Sequence, residues 1–295
     1  MSLLAALKAF DATARTGSMT AAAQLLGLAQ PTVSAHIQRL ESDFGVELFH
    51  RRGRRLELTA FAKNLLDHTR RTFSGEEDAL ALLAAAKNRY TGHLVIHAIG
   101  PYNLVPVLKT FVARYPKVHV AVGVGDSRSI TEKIRTYQGD IGVVLNHVDH
   151  PELFGMPFRV QRLVVFANAE HPLARQHGLR LRDLQDQRFV IREEGSTTRL
   201  VFEQELARHG VQVQVALEMG SREAVREAVA QGLGLGVVAE TAYVADPRLV
   251  KLDLIDTKMA TQVHFICRQE RRQAPLISAL WALAQEVGQG TGVNA

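Results

Sequence analysis

Between Ser18 and Thr59 the chain carries a series of start and stop signals that leaves few folds open. Ser18 is a helix-capping residue, and Met19, Thr20, Ala21, Ala22, Ala23, Gln24, Leu25 and Leu26 follow it as a short helix that Gly27 stops. Leu28 and Ala29 cross a tight turn, and Gln30-Pro31 opens a second helix, with proline in the first turn where its missing N–H is no loss. That helix runs to about Phe44, and Val33, Ile37, Leu40 and Phe44 fall on one apolar stripe. Pro31, Ser34, Ala35 and Gln38 project from the opposite side, flanked by Thr32 and Arg39. Small polar residues of this kind make a face narrow enough for a major groove roughly 12 Å wide. An ordinary pair of amphipathic helices would show the same stripe.

The next segment separates the two possibilities. From Val46 to Thr59 the pattern is a β-hairpin: Leu48 and Phe49 lead in, Gly53 sits at the turn, and Leu56 and Leu58 alternate inward. Arg51, Arg52, Arg54 and Arg55 crowd the tip, where their mutual repulsion is relieved by a polyanion such as a phosphate backbone. Two helices and a basic hairpin make a winged helix-turn-helix. The expected DNA-contacting residues are Ser18, Thr20, Gln30, Pro31, Thr32, Ser34, Ala35, Gln38, Arg39, Arg51, Arg52, Arg54 and Arg55. Charge agrees with this placement: residues 1–72 hold ten Lys or Arg against six Asp or Glu, +4 of the chain's formal +5.

Ser18-Met19-Thr20-Ala21-Ala22-Ala23, Gln30-Pro31-Thr32-Val33-Ser34, Leu40-Glu41, Gly45-Val46-Glu47-Leu48-Phe49 and the arginine-flanked Gly53 together resemble the LysR-type transcriptional regulators. The sequence departs from that pattern at Ala35 and Gln38, where family members often carry Arg, and at Ala60, Phe61 and Ala62, where a glutamate and a glycine are common. Fewer cations on the recognition helix shift the electrostatic share toward the wing.

The remaining chain divides naturally. Leu3, Leu4, Leu7, Phe10 and Ala14 have helical spacing and complete the head's core. From Ala60 to about Lys87 no proline intervenes, and Leu66, Thr69, Phe73, Leu80 and Leu83 recur at about 3.5 residues, a helix of roughly 40 Å. A solvated linker and a dimerisation helix both fit. The resemblance implies the latter, an antiparallel pairing in a dimer or tetramer that sets two heads on two half-sites of double-stranded DNA.

After Tyr90-Thr91-Gly92 the rhythm changes to short apolar strands alternating with helices, an α/β texture. Strands are expected from Leu94, at Val118–Val124, Ile141–Leu145, Leu163–Asn168, Phe189–Arg192, Gln214–Glu218, Gly236–Ala239 and Val263–Arg268. Helices are expected at Val105–Tyr115, Ile130–Tyr137, Leu200–His209, Ser221–Gln231 and Ala274–Val287. The resemblance implies a two-lobed, periplasmic-binding-protein-like effector domain. The organisation is then a head over 1–59, a linker over 60–89 and an effector domain over 90–295, with lobe I at about 90–160 and 266–295 and lobe II at about 161–265.

Four strand-to-helix loops are rich in small polar residues: Gly100-Pro101-Tyr102-Asn103, Gly125-Asp126-Ser127-Arg128-Ser129, Glu194-Gly195-Ser196-Thr197-Thr198-Arg199 and Gly220-Ser221-Arg222-Glu223. Helix N-termini with hydroxyls and an arginine suit anions, although one such loop alone is commonly plain capping. The effector-binding residues expected from them are Gly100, Tyr102, Asn103, Ser127, Ser129, Ser196, Thr197, Thr198, Arg199, Ser221, Arg222 and Glu223. Residues 193–199, 218–229 and 232–238 also resemble the branch associated with aminoethylphosphonate catabolism. That resemblance implies a phosphonate dianion on Ser196, Thr197, Thr198 and Arg199 and an ammonium near Glu223 or Asp149; a carboxylate would use the same loops.

Other chemistries find little support. Gly232, Gly234 and Gly236 lack the G-x-G-x-x-G spacing and lie in helix-then-strand order, so they read as a helix stop and close packing. His147, Asp149 and His150 lack a third ligand at metal spacing, and the lone Cys267 sits in an apolar strand as a small buried hydrophobe. No nucleophile elbow appears, and the broken apolar start at Lys8 is not a signal peptide. The expectation is a cytoplasmic, non-enzymatic regulator without metal or cofactor that binds DNA, a small anionic effector and itself, and no membrane. The alternative is a solute-binding or catalytic α/β protein with an incidental basic N-terminal module.

Overall fold

The computed structural model describes residues 2–52, 55–87, 89–146 and 148–290, which form two compact units, Met1–Arg89 and chiefly Tyr90 onward. In the first unit, helices α1 (Leu3–Thr16), α2 (Met19–Leu26) and α3 (Gln30–Phe44) precede a hairpin of β1 (Phe49–Arg52) and β2 (Arg55–Leu58), then helix α4 (Ala60–Ala85). The capping signals operate as chemistry demands. The Ser18 hydroxyl accepts from the Ala21 N–H at 3.4 Å, Thr59 accepts from Ala62 at 3.0 Å, and Gly27 ends α2 at φ +65°, a left-handed conformation that glycine adopts freely.

Ala9, Phe10, Ala22, Val33, Ile37, Leu40, Leu48, Ala62 and Leu66 make the head's core. Two expectations need correction. In α1 the buried face is Ala6, Ala9, Phe10 and Thr13, while Leu3 and Leu4 are exposed, because small alanines let α1 approach its neighbours closely. Phe44 is 61% exposed: it is the last residue of α3, and the turn at Gly45 carries the chain away there. In α4, Leu66, Thr69 and Phe73 are buried, whereas Leu80, Leu82 and Leu83 stand 60–68% exposed within this unit.

A polar contact ties α1 to α4. Asp11 is buried, the Thr69 hydroxyl donates to its Oδ1 at 3.0 Å, and Arg15 lies 3.7 Å from Oδ2. Burial raises the Asp11 carboxyl above its ordinary value, and the Thr69 bond with Arg15 and Arg70 only partly offsets this.

The second unit contains β3 (Gly92–Ala98), α5 (Val105–Arg114), β4 (Val118–Val124), α6 (Ser127–Arg135), β5 (Ile141–Leu145), β6 (Leu153–Asn168), β7 (Arg188–Arg192), α7 (Thr197–His209), β8 (Gln214–Met219), α8 (Arg222–Ala230), β9 (Gly236–Ala239), β10 (Leu249–Lys251), β11 (Ala260–Arg268) and α9 (Pro275–Gly290). The main sheet runs β10-β6-β11-β5-β3-β4, with β9 also on β6; β7 and β8 form a separate parallel pair. Three clusters result. Lobe I packs Leu94, Phe111, Ile130, Phe265 and Leu280; lobe II packs Leu163, Leu184, Phe189, Phe202 and Leu235 in one cluster and Phe166, Val190, Val225 and Leu249 in another.

The antiparallel strands β6 and β11 pass through both lobes. The pattern suggested a strand only from Leu163, but β6 begins ten residues earlier. Pro157 sits where the β6–β11 register shifts, opposite His264, so its missing N–H falls at a bulge. The glycine run behaves as packing: Gly232 follows α8 at φ +76°, and a Cβ on Gly234 or Gly236 would come within 2.7 Å of the Arg188 carbonyl or the Phe166 ring. Cys267 is fully buried.

Candidate functional sites

Helix α3 presents Gln30, Pro31, Ala35, Gln38 and Arg39 to solvent, with Thr32 and Ser34 half-buried at the margin. Positions 31, 35 and 38 share one face, opposite the buried Val33, Ile37 and Leu40. Thr20 is exposed on α2, and Ser18 is spent on its cap. Arg39 is steadied by Asp43 at 3.1 Å. The hairpin is held at its base: the Leu48 N–H donates to the Glu41 carboxylate at 2.9 Å, and the Thr59 hydroxyl donates to the Glu47 carbonyl at 2.8 Å. Gly53 and Arg54, and the side chains of Arg51, Arg52 and Arg55, lie outside the described residues.

In the second unit the strand-end loops of the two lobes face each other. Arg222, at the start of α8, donates from Nη1 to the Ile99 carbonyl at the end of β3. Gly100 lies beside that contact: a Cβ there would stand 2.5 Å from the same nitrogen, so the guanidinium would have to shift. Burial holds the Arg222 guanidinium below its ordinary value, and neighbouring Arg192 adds to the effect. Across the same junction the Thr197 hydroxyl lies 3.4 Å from Ser127 Oγ, which also accepts from the Leu145 N–H at 3.0 Å.

The hydroxyls divide into committed and uncommitted groups. Ser221 caps α8 through Ala224 at 3.1 Å, and Ser129 bonds back to Asp126. Burial would raise Asp126, but the N–H and hydroxyl of Ser129 with nearby backbone donors hold it below its usual value. Ser196 is buried yet makes no capping bond to α7, and Thr198 beside it is buried as well. Arg199, expected on the anion, is engaged within lobe II: Nε bonds Glu203 at 2.7 Å, and Nη1 bonds Glu218 at 2.8 Å and the Arg192 carbonyl at 3.1 Å. Glu223 and Asp149 are exposed. His147 lies outside the described residues, and among those described no cluster suits a metal ion.

Behind these loops lies a polar group that the sequence did not reveal. Asn103 donates to Gln161 Oε1 at 3.2 Å, Thr241 donates to the same oxygen at 2.9 Å, and Gln161 Nε2 donates to Thr261 at 3.2 Å. Gln161 and Thr261 sit on β6 and β11 where these strands pass between lobes, and both are buried. The Asn103 Oδ1 atom is sealed from solvent without a partner among the described residues and lines a small cavity with Gln161, Arg222 and Thr241. Gln161 lies just outside the strand expected from Leu163, so no sequence signal pointed to it.

Comparison with known proteins covers both units. The bacterial regulatory helix-turn-helix protein family, lysR family, matches residues 4–63, and the LysR substrate binding domain matches 88–289. The HTH-type transcriptional regulator CysL of Bacillus subtilis is 32% identical over 243 residues, 81% of each chain. Among solved structures, a variant of full-length OxyR from Pseudomonas aeruginosa superposes with a TM-score of 0.78 at 20% identity, covering 97% of this chain and 94% of that one. The regulatory domain of Synechocystis PCC6803 CcmR in complex with 2-PG gives 0.63 at 26% identity, covering 68% of this chain and 99% of that one.

Proposed function

We propose, from the premise that this chain belongs to the LysR family of bacterial DNA-binding transcriptional regulators, that its lobes close on a small anionic effector and so change how two heads meet their operator. The observation that carries this reading is a pair of contacts between the lobes, Arg222 with Ile99 and Thr197 with Ser127. A guanidinium, several hydroxyls and three helix N-termini gathered from both lobes suit a compact anion. Binding between lobes favours the closed arrangement, and a coupling of about 1–3 kcal/mol is enough for a switch of this kind.

For the effector we propose a small dianion of the phosphonate or phosphate type, with 2-aminoethylphosphonate as the specific candidate. The resemblance of residues 193–199, 218–229 and 232–238 supports it, and CcmR supplies a relative whose regulatory domain was solved with 2-PG. Arg222 is the cation for the anion, and Arg199, braced by two glutamates, shapes the loop. On DNA, Thr32, Ser34, Ala35 and Gln38 read base edges while Arg51, Arg52, Arg54 and Arg55 grip phosphates. The exposed leucines of α4 pair with a second copy, giving a dimer or a tetramer.

The test has two arms. A melting scan of the full chain against 2-aminoethylphosphonate, 2-PG and small dicarboxylates should show stabilisation by a dianion. No stabilisation by any of them overturns the effector reading, and stabilisation by dicarboxylates alone overturns its phosphonate form. Arg52→Ala and Arg54→Ala should each flatten the log–log salt dependence of operator binding by about one unit. An unchanged slope overturns the wing assignment.

A further inference from the structure

The two lobes of the effector domain hold each other through the chain's own groups. Arg222 of lobe II donates to the Ile99 carbonyl of lobe I, and the Thr197 hydroxyl meets Ser127 at 3.4 Å. A third tie runs through one amide oxygen: Gln161 Oε1 accepts from Asn103 of the lobe I loop at 3.2 Å and from Thr241 of lobe II at 2.9 Å. Gln161 Nε2 donates to Thr261, which fixes the amide so that its oxygen, and not its nitrogen, faces both loops.

These ties leave little space between them. The cavity lined by Ile99, Asn103, Gln161, Arg222 and Thr241 encloses about 10 Å³, room for one water and for no organic dianion. The Arg222 nitrogen nearest the loops is the one engaged by Ile99, and Gly100 stands against it.

We propose that the three ties form a latch that shuts the inter-lobe junction against its own effector: the lobes part before a dianion enters, then close on it with an anion oxygen in the place of the Ile99 carbonyl. The latch stands on the contacts alone, whereas its hold over the effector rests on the reading of Arg222 as the anion's cation. Such a latch sets a threshold. Apparent affinity falls by the fraction of molecules whose junction is open, so the ties help to decide the concentration at which the effector is answered. Weakening a tie that the anion never touches should therefore tighten binding.

Two measurements on the full-length protein test this. The first needs no ligand. Ser127→Cys combined with Thr197→Cys should form an intramolecular disulfide under oxidised glutathione, because the oxygens replaced lie 3.4 Å apart. Each single variant should form none, since Cys267 is fully buried. A double variant that stays reduced overturns the latch. The second is calorimetry with whichever of 2-aminoethylphosphonate, 2-PG or succinate stabilises the wild type. Thr241→Val removes one tie and keeps the side-chain shape, so it should raise the apparent affinity by about threefold or more. Unchanged affinity would mean that the anion enters without parting the lobes, and weaker binding that the tied form captures it; either overturns the gate. If none of the three anions binds the wild type, the effector reading falls and the disulfide alone decides the latch. Should a substituted chain melt early, amide hydrogen exchange over residues 99–104 in Gly100→Ala, whose Cβ drives the guanidinium off Ile99, is compared with wild type. Faster exchange supports the latch, and equal exchange overturns it.

Discussion

Arg222 in lobe II donates a hydrogen bond to the backbone carbonyl of Ile99 in lobe I. It is a charge-assisted contact at the mouth of the junction, and Gly100 lies against it. Arg222→Met keeps most of the stem and removes the donor. Stabilisation by an anion should then weaken by about tenfold in affinity, the expected loss for a hydrogen bond to a charged group, while the salt slope of operator binding stays the same. Paired melting and anisotropy titrations check both halves. A variant that responds to anion like the wild type removes Arg222 from the site.

Gly234→Ala should destabilise lobe II by about 1–3 kcal/mol, the usual cost of forcing a group into a filled space. Its Cβ would stand 2.7 Å from the Arg188 carbonyl oxygen, and backbone inside a strand cannot turn aside as a side chain does. Urea unfolding measures the effect; Gly220→Ala, where nothing lies within 4 Å, is the control.

Asp11 gives a prediction with a definite sign. Burial raises its carboxyl in the folded head, so the charged form works against folding at neutral pH, and this penalty disappears once pH falls below the unfolded value near 3.8. Asp11→Asn retains an oxygen for the Thr69 hydroxyl without the charge. It should match or exceed the wild-type melting temperature at pH 7, with the difference closing toward pH 4. A variant that melts lower at pH 7 would mean that Arg15 and Arg70 depend on the charge more than burial opposes it.

On the surface of lobe II, Arg248 joins Glu227 and Asp246, and hydrogen bonds from the guanidinium lower both carboxyls to about 2. A lowered folded value means that the stabilisation is present above the ordinary carboxylate range and is lost as pH drops toward 2. Glu227→Gln should therefore differ from wild type at pH 7 and converge with it on acidification. The difference should also shrink in high salt, because the group is exposed. Denaturant titrations at two salt concentrations measure it.

Much of this architecture is written locally. Ser18, Gly27, Pro31 and Thr59 punctuate helices through their own backbone and hydroxyl chemistry, and apolar runs such as Ile141–Leu145 mark strands. What escaped depends on distant partners. The first ten residues of β6 read poorly because Pro157 and a bulge interrupt them and because the strand serves two cores in succession. Asn103 and Gln161 are 58 residues apart, and no spacing rule links an amide in a loop to one in a strand. Of the two carboxylates that engage Arg199, Glu203 is its i,i+4 neighbour on α7 and readable in the sequence, whereas Glu218 comes from β8 and is not. The expected hydroxyls of the junction were legible, but which of them were already committed to capping was not.

The passage of β6 and β11 through both lobes also bears on how the chain is made. Within the second unit, synthesis delivers β3, β4 and β5 first, then most of lobe II, and only afterwards β11 and α9, which bring Phe265, Ile266, Leu280 and Trp281 to the lobe I core. Until about residue 268 emerges, β5 lacks its antiparallel neighbour and offers a bare apolar edge to any other nascent strand. Lobe II can close while lobe I waits. Truncations just short of Val263, where β11 meets β5, should thus leave a folded second lobe beside an aggregation-prone first one, the half whose core is begun early and finished last.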